Sequence, residues 1–215
     1  KRHIYFNHLN SSQAMCINFF YPLIVENKLN LITEFLEFSN EIIVYNTVAF
    51  EKLSHIDSIN GHRPTNFDFY FETESGEKFF FEIKYTENGF GKAPKDKSNK
   101  KIFDKEHTDK FISVYNNNLD SVNSEYHSVD KFLSNYQIMR NLIHVGNDSY
   151  VVFLYPSGNE KIKRQAIEAK ERFIVSPLGG NFFTKEWENI YDYVINCSKG
   201  TKLNSQLTEF GNKYF

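Results

Sequence analysis

At 215 residues the chain has the length of a single domain. With 40% hydrophobic and 24% charged residues it can bury a core and stay soluble. A net charge of −2 excludes a globally basic nucleic-acid-binding field, so any such surface must be local.

No apolar run approaches the length of a membrane span, and the first residues carry no signal-peptide pattern. Cys16 and Cys197 stand far apart, in no metal-ligand spacing, which reads as reduced thiols in a cytoplasmic protein. Aromatic residues reach 17%, so Phe fills core positions often held by Leu or Val.

Residues 1–10 show no clear period. A helix is expected from Asn10 or Ser11, either of which can cap it, with Ala14, Ile17, Phe20 and Tyr21 in its apolar stripe. Pro22 ends or kinks it. Gln13 lies in its first turn, where a solvated polar residue is the plain reading. Residues 28–38 have helical spacing through Leu29, Ile32 and Leu36. Residues 42–50 are β-branched and aromatic and read as a strand, with Glu51 directly after it; a helix over 42–53 stays open. His55 to Pro64 is a loop with Asn60-Gly61 as a turn signal.

Residues 65–87 read as two short aromatic strands joined at Ser75-Gly76. In the first, Phe67, Phe69 and Phe71 point one way and Asp68, Tyr70 and Glu72 the other. In the second, Phe79, Phe81, Ile83 and Tyr85 share one face and Phe80, Glu82 and Lys84 the other. Asp68, Glu82 and Lys84 therefore project from one face of the ribbon.

Residues 88–110 are broken by Gly89, Gly91 and Pro94 and carry an excess of lysines, among them Lys92, Lys95 and Lys110. This is a solvated loop or a phosphate-facing flap. Residues 128–144 form an amphipathic helix through Phe132, Tyr136, Met139 and Ile143, ending near Gly146. Residues 150–155 read as a buried strand and 159–173 as a charged helix. Val175 to Gly180 is a short strand or loop. A Thr184-capped helix spans 184–197, with a further helix toward Phe215.

Glu-x-Lys alone carries little information, since Glu26-Asn27-Lys28 and Glu168-Ala169-Lys170 repeat it. Only Glu82-Ile83-Lys84 lies in an aromatic strand beside a strand that offers an acid with matching facing. Cleaving a phosphodiester requires charge neutralisation and a hydroxide-like nucleophile, which Mg²⁺ or Mn²⁺ can supply. Such hard cations take oxygen ligands and keep waters, so Asp68 and Glu82, with the backbone carbonyl of Ile83 as a third ligand, suit the protein's share. Lys84 could orient or deprotonate the water, or stabilise developing negative charge. The plain alternative is a hairpin with a solvent-facing cross-strand salt bridge. Phe residues on both faces of the ribbon weigh against it. His55 and His62, seven apart in a loop, make a weak metal pair.

These residues resemble the PD-(D/E)XK nuclease superfamily, with its restriction-endonuclease-like fold. The resemblance is closest to a bacterial branch with S-S-Q-A, K-Y-T-E and Q-x-x-R-N patterns. These are Ser11-Ser12-Gln13-Ala14, Lys84-Tyr85-Thr86-Glu87 and Gln137-Ile138-Met139-Arg140-Asn141 here, with Phe50-Glu51 as the upstream acid. Phe67 stands where the superfamily name has proline. The matches cover about residues 10–155, which leaves 156–215 as a mainly helical C-terminal extension of one domain.

The resemblance implies an α/β fold, a central mixed sheet flanked by helices, and Mg²⁺-dependent hydrolysis of nucleic acid, DNA first. Asp68, Glu82 and Lys84 would be catalytic, with Glu51 a further acid. Gln13, Tyr85, Glu87, Gln137 and Arg140, with Lys92 and Lys95 of the basic loop, would support the site or contact substrate. Many enzymes that cut both strands act as dimers, so a homodimer is compatible with this reading. RNA or a special DNA structure as substrate, or a non-catalytic binding or assembly module, are the alternatives.

Overall fold

The computed structural model describes residues 11–58 and 63–215. Five strands form one mixed sheet: β1 (Ala49–Leu53), β2 (Asn66–Glu72), β3 (Lys78–Ile83), β4 (Ser149–Tyr155) and β5 (Phe182–Glu186), in that spatial order. β1, β2 and β3 pair antiparallel, whereas β3, β4 and β5 run parallel. The apolar run of β4 lies between parallel neighbours and is buried on both faces, as such strands require.

The helices are α1 (Ser12–Val25), α2 (Asn30–Phe35), α3 (Lys105–Ser113), α4 (Val129–Ser134), α5 (Tyr136–Leu142), α6 (Glu160–Glu168), α7 (Trp187–Cys197) and α8 (Lys202–Tyr214). Two cores sandwich the sheet. Phe69, Phe71, Phe79, Phe81 and Leu154 pack under α1, α2, α7 and α8. Tyr70, Phe80, Val151 and Phe153 pack under α3 to α6. The chain is thus an α/β protein in three layers, as a restriction-endonuclease-like core requires. None of the described helices is long and apolar enough to cross a membrane.

Several expectations shift. Ser11 caps α1, accepting from the Ala14 N–H at 3.2 Å, but Pro22 lies inside the helix instead of ending it. Of the expected stripe Ala14 and Phe20 are buried, together with Met15, Cys16, Phe19 and Leu23, whereas Tyr21 is 57% exposed. The helix over 28–38 is only α2, because Glu37 turns left-handed at φ 72°. The strand expected over 42–50 begins at Ala49, after a 3₁₀ turn at Tyr45–Thr47, so Glu51 lies within β1 and not after it. Asn60-Gly61 and His62 lie outside the described residues.

The helix over 128–144 breaks in two at Asn135. The cause is the loop after β3. The Ala93 N–H donates to the Leu133 carbonyl at 3.0 Å, and the Gln137 N–H turns to the Gly91 carbonyl at 2.9 Å. The loop thus replaces the helical bond between residues 133 and 137. Residues 156–215 supply β5, α6 on one face and α7 and α8 on the other, and Thr184 lies in β5 instead of capping a helix.

The facing of β2 also departs from simple alternation. Phe67 belongs to the core of Tyr70 and Phe80, with its ring 4.8 Å from that of Phe80, not to that of Phe69 and Phe71. Pairing of β2 with β3 runs only from Phe69↔Phe81 to Glu72↔Lys78. At Asp68 the side-chain carboxylate takes the Ile83 N–H instead, at 2.6 Å. Across the sheet, Phe50↔Phe69 and Lys52↔Phe67 keep one register, so no residue is inserted; the left-handed backbone of Glu51, φ 56°, sits at the position facing Asp68. A non-glycine residue held there stores about 1–3 kcal/mol of strain, a cost that clusters at functional sites.

Lys110, counted among the loop lysines, is buried and paired instead of solvated. Its ammonium donates to Asp57 at 2.9 Å, and Asp57 also accepts from Thr65 and from the Tyr115 hydroxyl at 2.8 Å. Burial alone would raise the Asp57 carboxyl, but the bonds from Lys110, Thr65 and Tyr115 bring it from 3.8 to about 2. The folded value lies below the unfolded one, so the ionised group stabilises the fold. Its contribution, about 2 kcal/mol, is complete above about pH 4 and is lost as pH falls through about 2. Asp57→Asn strands Lys110 and lowers stability by about 3–5 kcal/mol at pH 7. Urea unfolding checks this: the gap from the unsubstituted chain should narrow toward pH 2, and an equal gap at both pH values would refute it.

Candidate active site

β3 delivers Glu82 and Lys84 to the face of the sheet that carries α5. Their exposures are 3% and 6%, and the Lys84 ammonium lies 2.8 Å from Glu82 Oε1. A buried carboxylate needs its lone pairs filled, and α5 fills them. Gln137 Nε2 donates to Oε1 at 2.7 Å and Asn141 Nδ2 to Oε2 at 3.0 Å. These two residues are four apart on one helix, so they sit on one face a turn apart. Arg140 is one position off that face, and its guanidinium lies over the Tyr136 ring, 5.5 Å from its centre.

Asp68 enters from β2. One carboxylate oxygen accepts from the Ile83 N–H; the other, Oδ1, accepts no hydrogen bond among the described residues. Burial raises the Asp68 carboxyl well above the usual range, and the charge of Glu82 raises it further. The Lys84 charge acts against both. Lys84 is pulled down by burial, but the charges of Glu82 and Asp68 more than reverse this and leave it above the ordinary lysine value. The lysine therefore stays an ammonium in this cluster.

Glu51 stands one strand further out. Gln13 Nε2 donates to its Oε1 at 2.9 Å, and Asn66 Nδ2 donates to its Oε2. Its charge also reaches Asp68. The backbone of Lys84 is fixed on two sides, with its N–H on the Leu154 carbonyl at 2.8 Å and its carbonyl accepting from Trp187 Nε1 at 3.2 Å.

Not every expected residue gathers here. Tyr85 falls on the opposite face, its ring 5.6 Å from that of Tyr214. Glu87 accepts from the Tyr85 N–H at 2.6 Å and reaches Lys84 only through its charge. Lys92 and Lys95 are exposed in the loop, Lys95 lying 3.3 Å above the Phe103 ring, and neither pairs with the cluster. Asn141, the last residue of the Gln137–Asn141 pattern, carries no role in the sequence by itself; the four-residue step from Gln137 is the signal that exposes it. Asn66 and Trp187 carried no such signal.

Among the described residues no three His, Cys, Asp or Glu side chains converge as a complete metal cage. The residues able to share a cation are Asp68, through its free oxygen, and Glu82. They are acid groups of which one raises the other's proton affinity, and a single ammonium leaves them under-compensated. That donor set fits a hard, oxygen-seeking cation that keeps water in its remaining positions.

Asn141, fully buried, is the donor to Glu82 Oε2. Asn141→Ala leaves that oxygen short of a partner and should cost about 1–3 kcal/mol. Urea unfolding at pH 7 checks the loss; an unchanged midpoint would show that the clamp contributes nothing.

Comparison with curated proteins and with solved structures returned no match. Comparison with protein-family models did. The mixed sheet flanked by helices agrees with the restriction-endonuclease-like character of the family found. From residue 1 to residue 215 the chain matches REase-ARP, "Restriction Endonuclease associating with ARP", and it belongs to that family.

Proposed function

We propose that the chain is a divalent-metal-dependent endonuclease that hydrolyses phosphodiester bonds of DNA, with Asp68, Glu82 and Lys84 as its catalytic set. The observation that carries this reading is the buried Glu82–Lys84 pair beside a half-engaged Asp68. Asp68, Glu82 and the Ile83 carbonyl would hold Mg²⁺, with Mn²⁺ able to substitute. The chemistry such a cation supplies when bound is neutralisation of phosphate charge and acidification of a water.

The chain's own residues do the rest. Gln137 and Asn141 fix the plane of the Glu82 carboxylate, and the Ile83 N–H fixes that of Asp68. Lys84, held as an ammonium, is suited to orient the attacking water and to donate to a phosphate oxygen as negative charge develops. Phe90 lies 5.4 Å under the ammonium and stacks on Phe153 at 4.7 Å, walling that side of the cluster with apolar surface. Glu51, clamped by two amides, would act from the outer side through charge.

Supercoiled plasmid incubated with Mg²⁺ should be nicked or linearised, and EDTA should stop it. Lys84→Ala and Asp68→Asn should each lower the rate by about 10²–10⁴-fold. Cleavage that survives in Lys84→Ala removes this lysine from the mechanism. Single-stranded DNA, branched DNA and RNA at one fixed salt concentration distinguish the substrate classes. Calorimetric titration with Mn²⁺ that detects no binding would favour a non-catalytic module.

A further inference from the structure

Beside Glu51 the molecule holds a hollow of about 360 Å³, bounded by Arg63, Asn66, Glu106, Lys110, Tyr136 and Arg140. We propose that it is an anion site that takes a phosphate of a nucleic-acid strand adjacent to the carboxylate cluster. The choice of nucleic acid as the carrier of that phosphate rests on the nuclease reading; the anion site rests on the hollow itself.

The charges around the hollow are unevenly matched. Neither arginine takes part in any ion pair of the described residues. Lys110 is already neutralised by Asp57, and His107, which also borders the hollow, is tied to Asp104 at 2.7 Å. Among the described residues the exposed Glu106 is the only acid on the lining, so two unpaired guanidinium groups face one carboxylate and the balance is positive.

The fold holds the Arg63 backbone and the Arg140 side chain beside the hollow. Lys110 donates to the Arg63 carbonyl at 2.7 Å, which fixes the Arg63 backbone at the mouth. Arg140 rests over the Tyr136 ring, whose hydroxyl lies 3.2 Å from that of Tyr115. The Arg140 Nε is buried and has no hydrogen-bond partner among the described residues. A buried guanidinium N–H without an acceptor is costly, and a phosphate in the hollow gives the fork an acceptor once the Arg140 side chain turns to meet it.

The hollow is joined to the cluster by one side chain. Asn66 lines it and donates to Glu51, two residues before Asp68 in β2. A strand with one phosphate in the hollow therefore presents its adjoining backbone toward Asp68 and Lys84. Arg63 and Arg140 become positioning residues for substrate, distinct from the groups that touch the reacting phosphate.

Equilibrium binding of a fluorescent DNA duplex, read by anisotropy in EDTA across a salt series, tests this without turnover. Arg63→Gln and Arg140→Gln should each weaken binding about tenfold and lower the slope of log affinity against log salt by about 1. Arg140→Lys should keep the slope and recover part of the affinity, since it retains the charge but not the fork. Lys199→Gln, exposed and remote, should change neither. Equal losses on 5′-phosphoryl and 5′-hydroxyl duplexes assign an internal phosphodiester to the site; losses confined to 5′-phosphoryl ends assign a terminal phosphate. Arg63 is exposed, so its variant remains interpretable if Arg140→Gln misfolds by circular dichroism. Wild-type affinity and slope in Arg63→Gln overturn the proposal, as does an unsubstituted chain that does not bind the duplex. Metal-dependent cleavage alongside unaffected binding in the variants sinks the anion site alone. Weakened binding in the variants of a chain that never cleaves sinks the nuclease reading alone.

Discussion

The carboxylate of Glu82 is the constraint around which the molecule is arranged. It is 3% exposed, and an ionised acid there is tolerated only if donors surround it. Two elements meet that demand. β3 returns Lys84 to the same face two residues later, and α5 brings Gln137 and Asn141. Each donor in turn depends on more distant structure. Lys84 is held at its backbone by β4 and by Trp187, the first residue of α7, and α5 is bounded at its start by the loop that follows Lys84 itself.

That loop gives the site a second level of organisation. Its Gly91 and Ala93 take hydrogen bonds that a continuous helix over residues 129–142 would have kept for itself. The Gln137 amide then serves both parties, its nitrogen on Glu82 and its oxygen accepting from the Gly91 N–H at 2.8 Å. One side chain thus ties the orientation of a buried acid to the path of the lysine-bearing loop. Such a coupled network has few independent parts, because loss of one donor also frees the others' geometry.

Much of this was legible in the amino-acid sequence because it followed from periodicity. The two aromatic strands and the facing of Glu82 with Lys84 come from a period of two, their turn from Ser75-Gly76, and β4 from an unbroken apolar run. What escaped depended on interactions between distant segments. The helix break at Asn135 has no local cause, since the loop at 91–93 produces it. Phe67 switches cores because a side chain, and not the backbone, closes the ladder at Asp68. Lys110 read as a surface charge because its partner, Asp57, is 53 residues away. Arg63 and Asn66 gave no pattern at all, since their meaning lies in a hollow assembled from three parts of the chain.

Trp187 is the chain's sole tryptophan, and it is fully buried. Its indole N–H ends on the Lys84 carbonyl, and its ring meets Phe19 edge-on at 5.2 Å. Indole emission depends on the electric field and hydrogen bonding at the ring. The molecule therefore carries its own optical reporter one bond from the central lysine, with no competing indole to dilute it. A rearrangement of the end of β3, whether by a bound ion or a bound strand, is written into the intrinsic fluorescence without any label.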